Sequence, residues 1–216
     1  QVNCRDRNRI ALQADLLAAY ACGITSVMAV KGEDPSFGDH HQARSVYDID
    51  LVELLRVITG FQQGKDMAGI ELSGTPHFLV GSTVNAGARG KSPELVLEEM
   101  NQKIEAGTEF FITPPLFDLS AIQPFLKRVD LKKTKIIPTV LLLKSLGMAR
   151  YMARNVDHVF IPDSMIERIQ KSPDKIRECI RIASEMVATL KQEKFSGVLI
   201  ATIGWEKKLP EILERI

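Results

Sequence analysis

Between Ala29 and Leu55 the chain reads AVKGEDPSFGDHHQARSVYDIDLVELL, leaving an apolar run for a long polar stretch before helical spacing resumes. Glu33, Asp34, Asp39 and Asp48 could accept protons or ligand hydrogen bonds there, and Asp39, His40 and His41 could ligate a metal. Adjacent histidines in a solvated loop point apart, and no third ligand follows at a suitable spacing. The bland reading of His40 and His41 is loop structure. Loops this long in compact domains are functional or disordered, and this one reads as functional. A second candidate is NAGARG from Asn85, whose backbone N–H groups could cradle a phosphate. It lacks a Walker or dinucleotide-binding spacing, so a plain strand-to-helix loop fits it equally well. Lys103 is either a cation for an anionic ligand or part of a solvated helix face, and Trp205 either touches a ligand or caps the end of the fold.

The elements that must position these residues alternate. ITSVMAV from Ile24, HFLVGSTV from His77, EFFIT from Glu109, KIIPTVLL from Lys135 and GVLIATI from Gly197 read as buried strands, and a sixth ends in QVNC. Helical spacing fills the intervals, beginning with Ile10 to Tyr20. Ser92-Pro93 and Ser172-Pro173 each predict an N-cap followed by a first-turn proline, and Gly23 and Gly107 predict helix stops. FQQGKDMAGIELSGTP, from Phe61, reads as an irregular excursion. Such alternation predicts a parallel sheet covered by helices. Ligands in these folds gather at the carboxyl ends of the strands, here CRDRN, KGED, STVNAGARG, TPPLFD and IGWEKK. Six strands fall short of the eight of a (β/α)8 TIM barrel of about 250 residues, so the expectation is a single barrel domain over residues 1–216 lacking about two β/α units at its front.

Composition narrows the function. The 216 residues are 45% hydrophobic and 25% charged with a net charge of +1, a globular balance without the basic stripe of a nucleic-acid binder. The longest apolar run, IIPTVLLL, is far shorter than the roughly 20 residues that span a bilayer. Cys4, Cys22 and Cys179 have neither zinc-site nor disulfide-framework spacing. The expectation is a cytoplasmic protein with no membrane, nucleic-acid or metal partner.

In order, NCRDRNR, AVKGEDPSFGDHHQARSVYDID, VGSTVNAGA, KIEAGTEFFITPPLFD, IIPTVLLL and IGWEKKLPEI resemble methylenetetrahydrofolate reductase, particularly the branch of acetyl-CoA-pathway bacteria. The resemblance implies a (β/α)8 barrel, FAD as cofactor, and reduction of 5,10-methylenetetrahydrofolate to 5-methyltetrahydrofolate. It implies electrons from NAD(P)H or a partner redox protein, and a homo-oligomer. The family's RGD falls on Lys31, Gly32 and Glu33, which places Lys31 and Gly32 at the flavin and gives Glu33 a catalytic role beside both flavin and folate, with Asp34 as a substitute. Gln1, Tyr47, Asp48, Gly81, Asn85 and Lys103 fall on other flavin-contacting positions. Three departures concern the substrate: Pro114 and Met148 replace glutamines that meet folate and nicotinamide, and Trp205 replaces an arginine for the folate tail. Loss of the glutamines supports an alternative, a degenerate flavin-binding barrel acting as a non-catalytic or electron-transfer subunit. Another barrel enzyme, using NAGARG on a phosphorylated ligand, is a further rival.

Overall fold

The computed structural model describes residues 1–86, 92–156, 158–193 and 195–216. Six strands among them, β1 (Val2–Asn3), β2 (Ser26–Val30), β3 (Leu79–Thr83), β4 (Phe110–Pro115), β5 (Lys135–Leu141) and β6 (Leu199–Ala201), form one sheet in chain order. The pairs β1–β2, β2–β3 and β5–β6 are parallel. Helices α1 (Arg9–Ala21), α2 (Leu51–Gln62), α3 (Pro93–Glu105) and α4 (Gln123–Leu126) fill the first four crossovers. Three more, α5 (Leu146–Asn155), α6 (Asp163–Lys171) and α7 (Lys175–Gln192), lie between β5 and β6, and α8 (Leu209–Leu213) follows. This is the repeating order of a (β/α)8 barrel, of which six strands are present.

The chain divides into two compact units, residues 1–83 with 99–110, and residues 84–98 with 111–216. In the first, α2 starts on a reciprocal capping box: Glu53 N–H donates to Asp50 Oδ1 at 2.8 Å, and Asp50 N–H donates to Glu53 Oε2 at 2.9 Å. Leu54, Leu55, Ile58 and Phe61 then recur on one face and are wholly buried with Leu12 and Leu16 of α1 and with Val27, Ala29 and Val80 of the strands. Each such side chain contributes roughly 1.5–3 kcal/mol by leaving water, which is why this helix holds its place. The expected helix stops are present. Both Gly23 (φ +80°) and Gly107 (φ +101°) are left-handed, and the following N–H groups reach back to Ala19 and Lys103 carbonyls at 3.0 and 2.9 Å.

In the second unit, α7 lays Cys179, Ile180, Ile182, Ala183, Val187 and Leu190 against Val140, Leu141 and Leu142. Its start corrects the expectation at Ser172-Pro173. Ser172 ends α6, and Asp174 caps α7 by accepting from Arg177 N–H at 2.9 Å. The charged Asp174 side chain two residues on takes the cap. Burial pushes the Glu178 carboxyl up, but hydrogen bonds from Arg181 and Arg168 outweigh it and hold the group below its usual range.

Strand β4 also departs from expectation by continuing through Pro114 and Pro115. Neither has an N–H to donate, nor has Pro138 in β5. Beside the backbone bond from Leu116 N–H to the Thr139 carbonyl at 2.9 Å, two hydroxyl-bearing residues tie the strands: Thr139 N–H donates to Thr113 Oγ1 at 3.2 Å, and Thr139 Oγ1 donates to Thr113 O at 2.7 Å. No helix of the described residues is long and apolar enough to cross a membrane.

Candidate active site

The strand ends of the first unit hold most of the residues singled out for a flavin. After β1, Asn3 folds the chain into a turn, its Oδ1 accepting from the N–H groups of Arg5 (3.0 Å) and Asp6 (3.1 Å). That turn aims Arg5, whose Nη1 donates to the Glu33 carbonyl at 2.9 Å while its Nε pairs with Asp6. Gly32, after β2, has φ +84°, and a Cβ there would come within 2.8 Å of Arg5 Cβ. Only glycine lets this backbone turn so close to the β1 loop.

The polar loop closes on its own beginning. Tyr47, itself left-handed at φ 41°, donates its hydroxyl to the Gly32 carbonyl at 3.0 Å, and Val46 N–H donates to the Arg5 carbonyl at 2.7 Å. The carboxylates along the loop are not equivalent. Asp34 Oδ1 accepts from Ser36 N–H at 2.8 Å and caps the short turn Pro35–Phe37. Asp48 is taken by Arg9. Glu33 is exposed, and its carboxylate has neither hydrogen bond nor ion pair among the described residues. Of these three acids, Glu33 alone is free for a ligand. His41 Nδ1 lies 3.0 Å from the Ser36 carbonyl, and the His40 carbonyl accepts from Ala43 N–H. Among the described residues no three His, Cys, Asp or Glu side chains gather into a metal site.

Lys103 is half-buried rather than solvated, and its Nζ donates to the carbonyl of Thr83, the last residue of β3, at 2.7 Å. Gly81 has a packing role: a Cβ there would meet the Phe110 ring at 2.1–2.6 Å. Lys31 and Gln1 are exposed, with Gln1 Nε2 donating weakly to Met28 Sδ at 3.9 Å. Asn85, in the second unit, is half-buried, whereas residues 87–90 of NAGARG lie outside the described residues.

The second unit brings Met148 and Trp205 together around a residue that sequence reading missed. Lys144, at the end of the apolar run before α5, donates its N–H to Met148 Sδ at 3.4 Å, and its Nζ lies 6.0 Å from the Trp205 ring centre. Ile203 (φ 45°) and Gly204 (φ +77°) are both left-handed. For a β-branched residue that is strain of roughly 1–3 kcal/mol. Glu206 holds the bend, its Oε1 accepting from Thr202 Oγ1 at 3.0 Å and Gly204 N–H at 2.9 Å. Hydrogen bonds from its own backbone and from Thr202 and Gly204 keep this carboxyl below its usual range, with Lys144 adding to the effect. Pro114 stands elsewhere in this unit, its carbonyl accepting from Thr113 Oγ1 at 2.8 Å.

The fold is a β/α-barrel arrangement with polar groups at the strand ends. A sequence profile of methylenetetrahydrofolate reductase matches residues 1–216. The chain belongs to that family. Methylenetetrahydrofolate reductase 2 of Schizosaccharomyces pombe is 25% identical over 226 residues, covering 99% of this chain and 34% of the relative. The chain thus spans about a third of that relative's length. A Clostridium thermocellum protein, described as uncharacterized and binding two copies of 5-methyl-5,6,7,8-tetrahydrofolic acid, shares the fold with TM-score 0.57. It is 13% identical, and the match covers 97% of this chain and 67% of that one.

Proposed function

We propose that this chain is part of a flavin-dependent enzyme that reduces 5,10-methylenetetrahydrofolate to 5-methyltetrahydrofolate, acting in the cytoplasm as a homo-oligomer. The observation that carries the reading is the family match along all 216 residues. The folate bound by the Clostridium thermocellum protein supports the substrate class.

The first unit suits FAD at two points. Gly32 lets the chain after β2 turn tightly against the β1 loop, and the half-buried Lys103 ammonium offers a cation for a diphosphate. When bound, FAD supplies the hydride relay between reductant and folate. Gly32 and Tyr47 shape the approach, Lys31 and Lys103 balance phosphate charge, and Gln1 and Asn85 contribute amide hydrogen bonds. Asp48 and Gly81 support the site indirectly, one through Arg9 and the other by admitting Phe110. The free carboxylate of Glu33 accepts hydrogen bonds from the folate ring and places negative charge beside the flavin. Pro114, Met148 and Trp205 are the folate-facing positions of the second unit.

The electron donor follows from what those positions lack. Pro114 has no side-chain donor and its carbonyl is already engaged, while Met148 offers only a thioether. With no amide at either position to orient a nicotinamide, the reading is that a partner flavin or iron–sulfur protein delivers the electrons. A yellow purified protein with a flavin spectrum is expected, and a colourless one that binds no added FAD contradicts the reading. In anaerobic stopped-flow, slow bleaching by NADH alone is expected; rapid bleaching would assign the donor role to NADH.

A further inference from the structure

Five cations, Arg168, Lys171, Arg177, Arg181 and Arg215, line one cavity of about 580 Å³ in the second unit, where α6 turns into α7. The whole chain balances 28 basic residues against 27 acidic ones, so the cluster is a local excess. Its acids are already taken. The buried Glu178 has both oxygens engaged, one by Arg168 and Arg181 and the other by Arg181 at 2.7 Å. Glu185 receives both Nη groups of Arg168 at 2.7 Å. Asp174 is spent on the α7 cap through the Arg177 N–H. Lys171 pairs with Glu167 one turn back, an exposed contact that solvent weakens. That leaves Arg177 and Arg215, whose guanidinium groups have neither a hydrogen-bond acceptor nor an ion-pair partner among the described residues.

The two free arginines stand on anchored backbone. Arg177 lies in the first turn of α7, just before the buried Glu178, Cys179 and Ile180. Arg215 follows α8, whose Ile212 is buried in one cluster with Ile180 and Ala183 of α7. The Ile212 carbonyl accepts from Ser184 Oγ of α7 at 3.4 Å and from Arg215 N–H at 3.2 Å. Like charges held around one space repel each other, and a bound anion relieves them. Guanidinium forks match the oxygens of a phosphate group. No aromatic residue lines the cavity, so it offers nothing on which a ring or base could stack, and its volume suits a small ligand.

We propose that this cavity binds a chain of two or three phosphate groups, gripped by Arg177 from α7 and Arg215 from beyond α8, with Lys171 closing on it from α6. The site shares no residue with the strand-end positions described above and rests on neither the flavin nor the folate reading. Arg168 and Arg181 serve it as wall, fixed by Glu178 and Glu185.

Titration calorimetry of the full chain with tripolyphosphate at low ionic strength is expected to show saturable binding. Arg177→Gln and Arg215→Gln should each raise the Kd by about tenfold to a hundredfold, the weight of one charge-assisted contact. Arg215→Lys should lose less, because the charge stays while the fork goes. Arg154→Gln, which removes an exposed arginine of α5 outside the cavity, should leave the Kd at its native value. Both glutamine variants should melt with the native protein, since neither guanidinium has a partner in the chain to lose. ATP should bind no more tightly than tripolyphosphate, which identifies a free phosphate chain as the ligand; tighter binding of ATP keeps the phosphate site and assigns it to a nucleotide. No saturable heat with the native chain overturns the proposal, as does a native Kd in both glutamine variants. Citrate binding as tightly as tripolyphosphate overturns it too, because that marks a diffuse basic surface.

Discussion

Arg9 holds Asp48 from two sides, its backbone N–H donating to Asp48 Oδ2 at 2.8 Å and its Nε to the same oxygen at 2.9 Å. Arg9 is the first residue of α1, and Asp48 ends the long loop 39 residues later. The carboxylate therefore serves the helix N-terminus as well as the guanidinium, and ties the loop's return to α1.

That tie is pH-dependent. Hydrogen bonds from the Arg9 side chain and backbone hold Asp48 below its usual range. A depressed carboxylate contributes stability above its unfolded pKa and loses it as pH falls through the folded value. The urea midpoint should fall as pH drops below about 4, and Asp48→Asn should be less stable at neutral pH with a weaker acid dependence. Parallel acid slopes for both proteins would contradict the pairing.

The two helix stops differ in a measurable way. Space around Gly23 is open, whereas a Cβ on Gly107 would meet Thr59 Oγ1 at 2.2 Å. Gly23→Ala should cost about 1 kcal/mol, the left-handed penalty alone. Gly107→Ala should cost at least about 2 kcal/mol, because Thr59 must also abandon its 2.8 Å hydrogen bond to the Ala106 carbonyl. Equal losses in urea unfolding would exclude the clash.

Thiol chemistry should separate the cysteines. Burial, followed by the charges of Asp50 and Glu53, pushes Cys4 up to about 11; burial, followed by Glu178, does the same to Cys179, whereas Cys22 is exposed. A disulfide reagent at mildly alkaline pH should therefore modify one thiol rapidly in the native protein and three in denaturant. Rapid native modification of two or more would mean that one of the cores opens easily.

Glu33→Gln should leave flavin binding intact and lower folate turnover by roughly a hundredfold, since it removes the charge but keeps the shape. Asp34→Asn should do far less, its carboxylate being occupied by the Ser36 turn. The measurement is methyltetrahydrofolate oxidation with an artificial acceptor, and the reverse ranking would move the role to Asp34.

The six strands were legible because β-branched runs bounded by glycine and polar clusters leave few alternatives, and Gly23 and Gly107 because only glycine ends a helix cheaply in the left-handed region. What escaped was tertiary. Arg5 meets Glu33 from 28 residues away and Arg9 meets Asp48 from 39, with no local pattern linking either pair. Lys144, which follows an apolar run, was not singled out in sequence. Its one signal was a cation at a strand's carboxyl end, and Trp205, 61 positions later, gives it meaning. The run EFFIT stops short of the prolines of β4, and the Thr113–Thr139 hydroxyl pairing that accompanies the strand's continuation leaves no local signal.

That pairing has a further cost. A backbone ladder is blind to side-chain identity, so most strand positions can drift without losing register. Between β4 and β5 two hydrogen bonds depend on which residues the gene encodes at positions 113 and 139. Mutational tolerance there should be unusually narrow, a sheet contact inherited through two codons rather than through the fold.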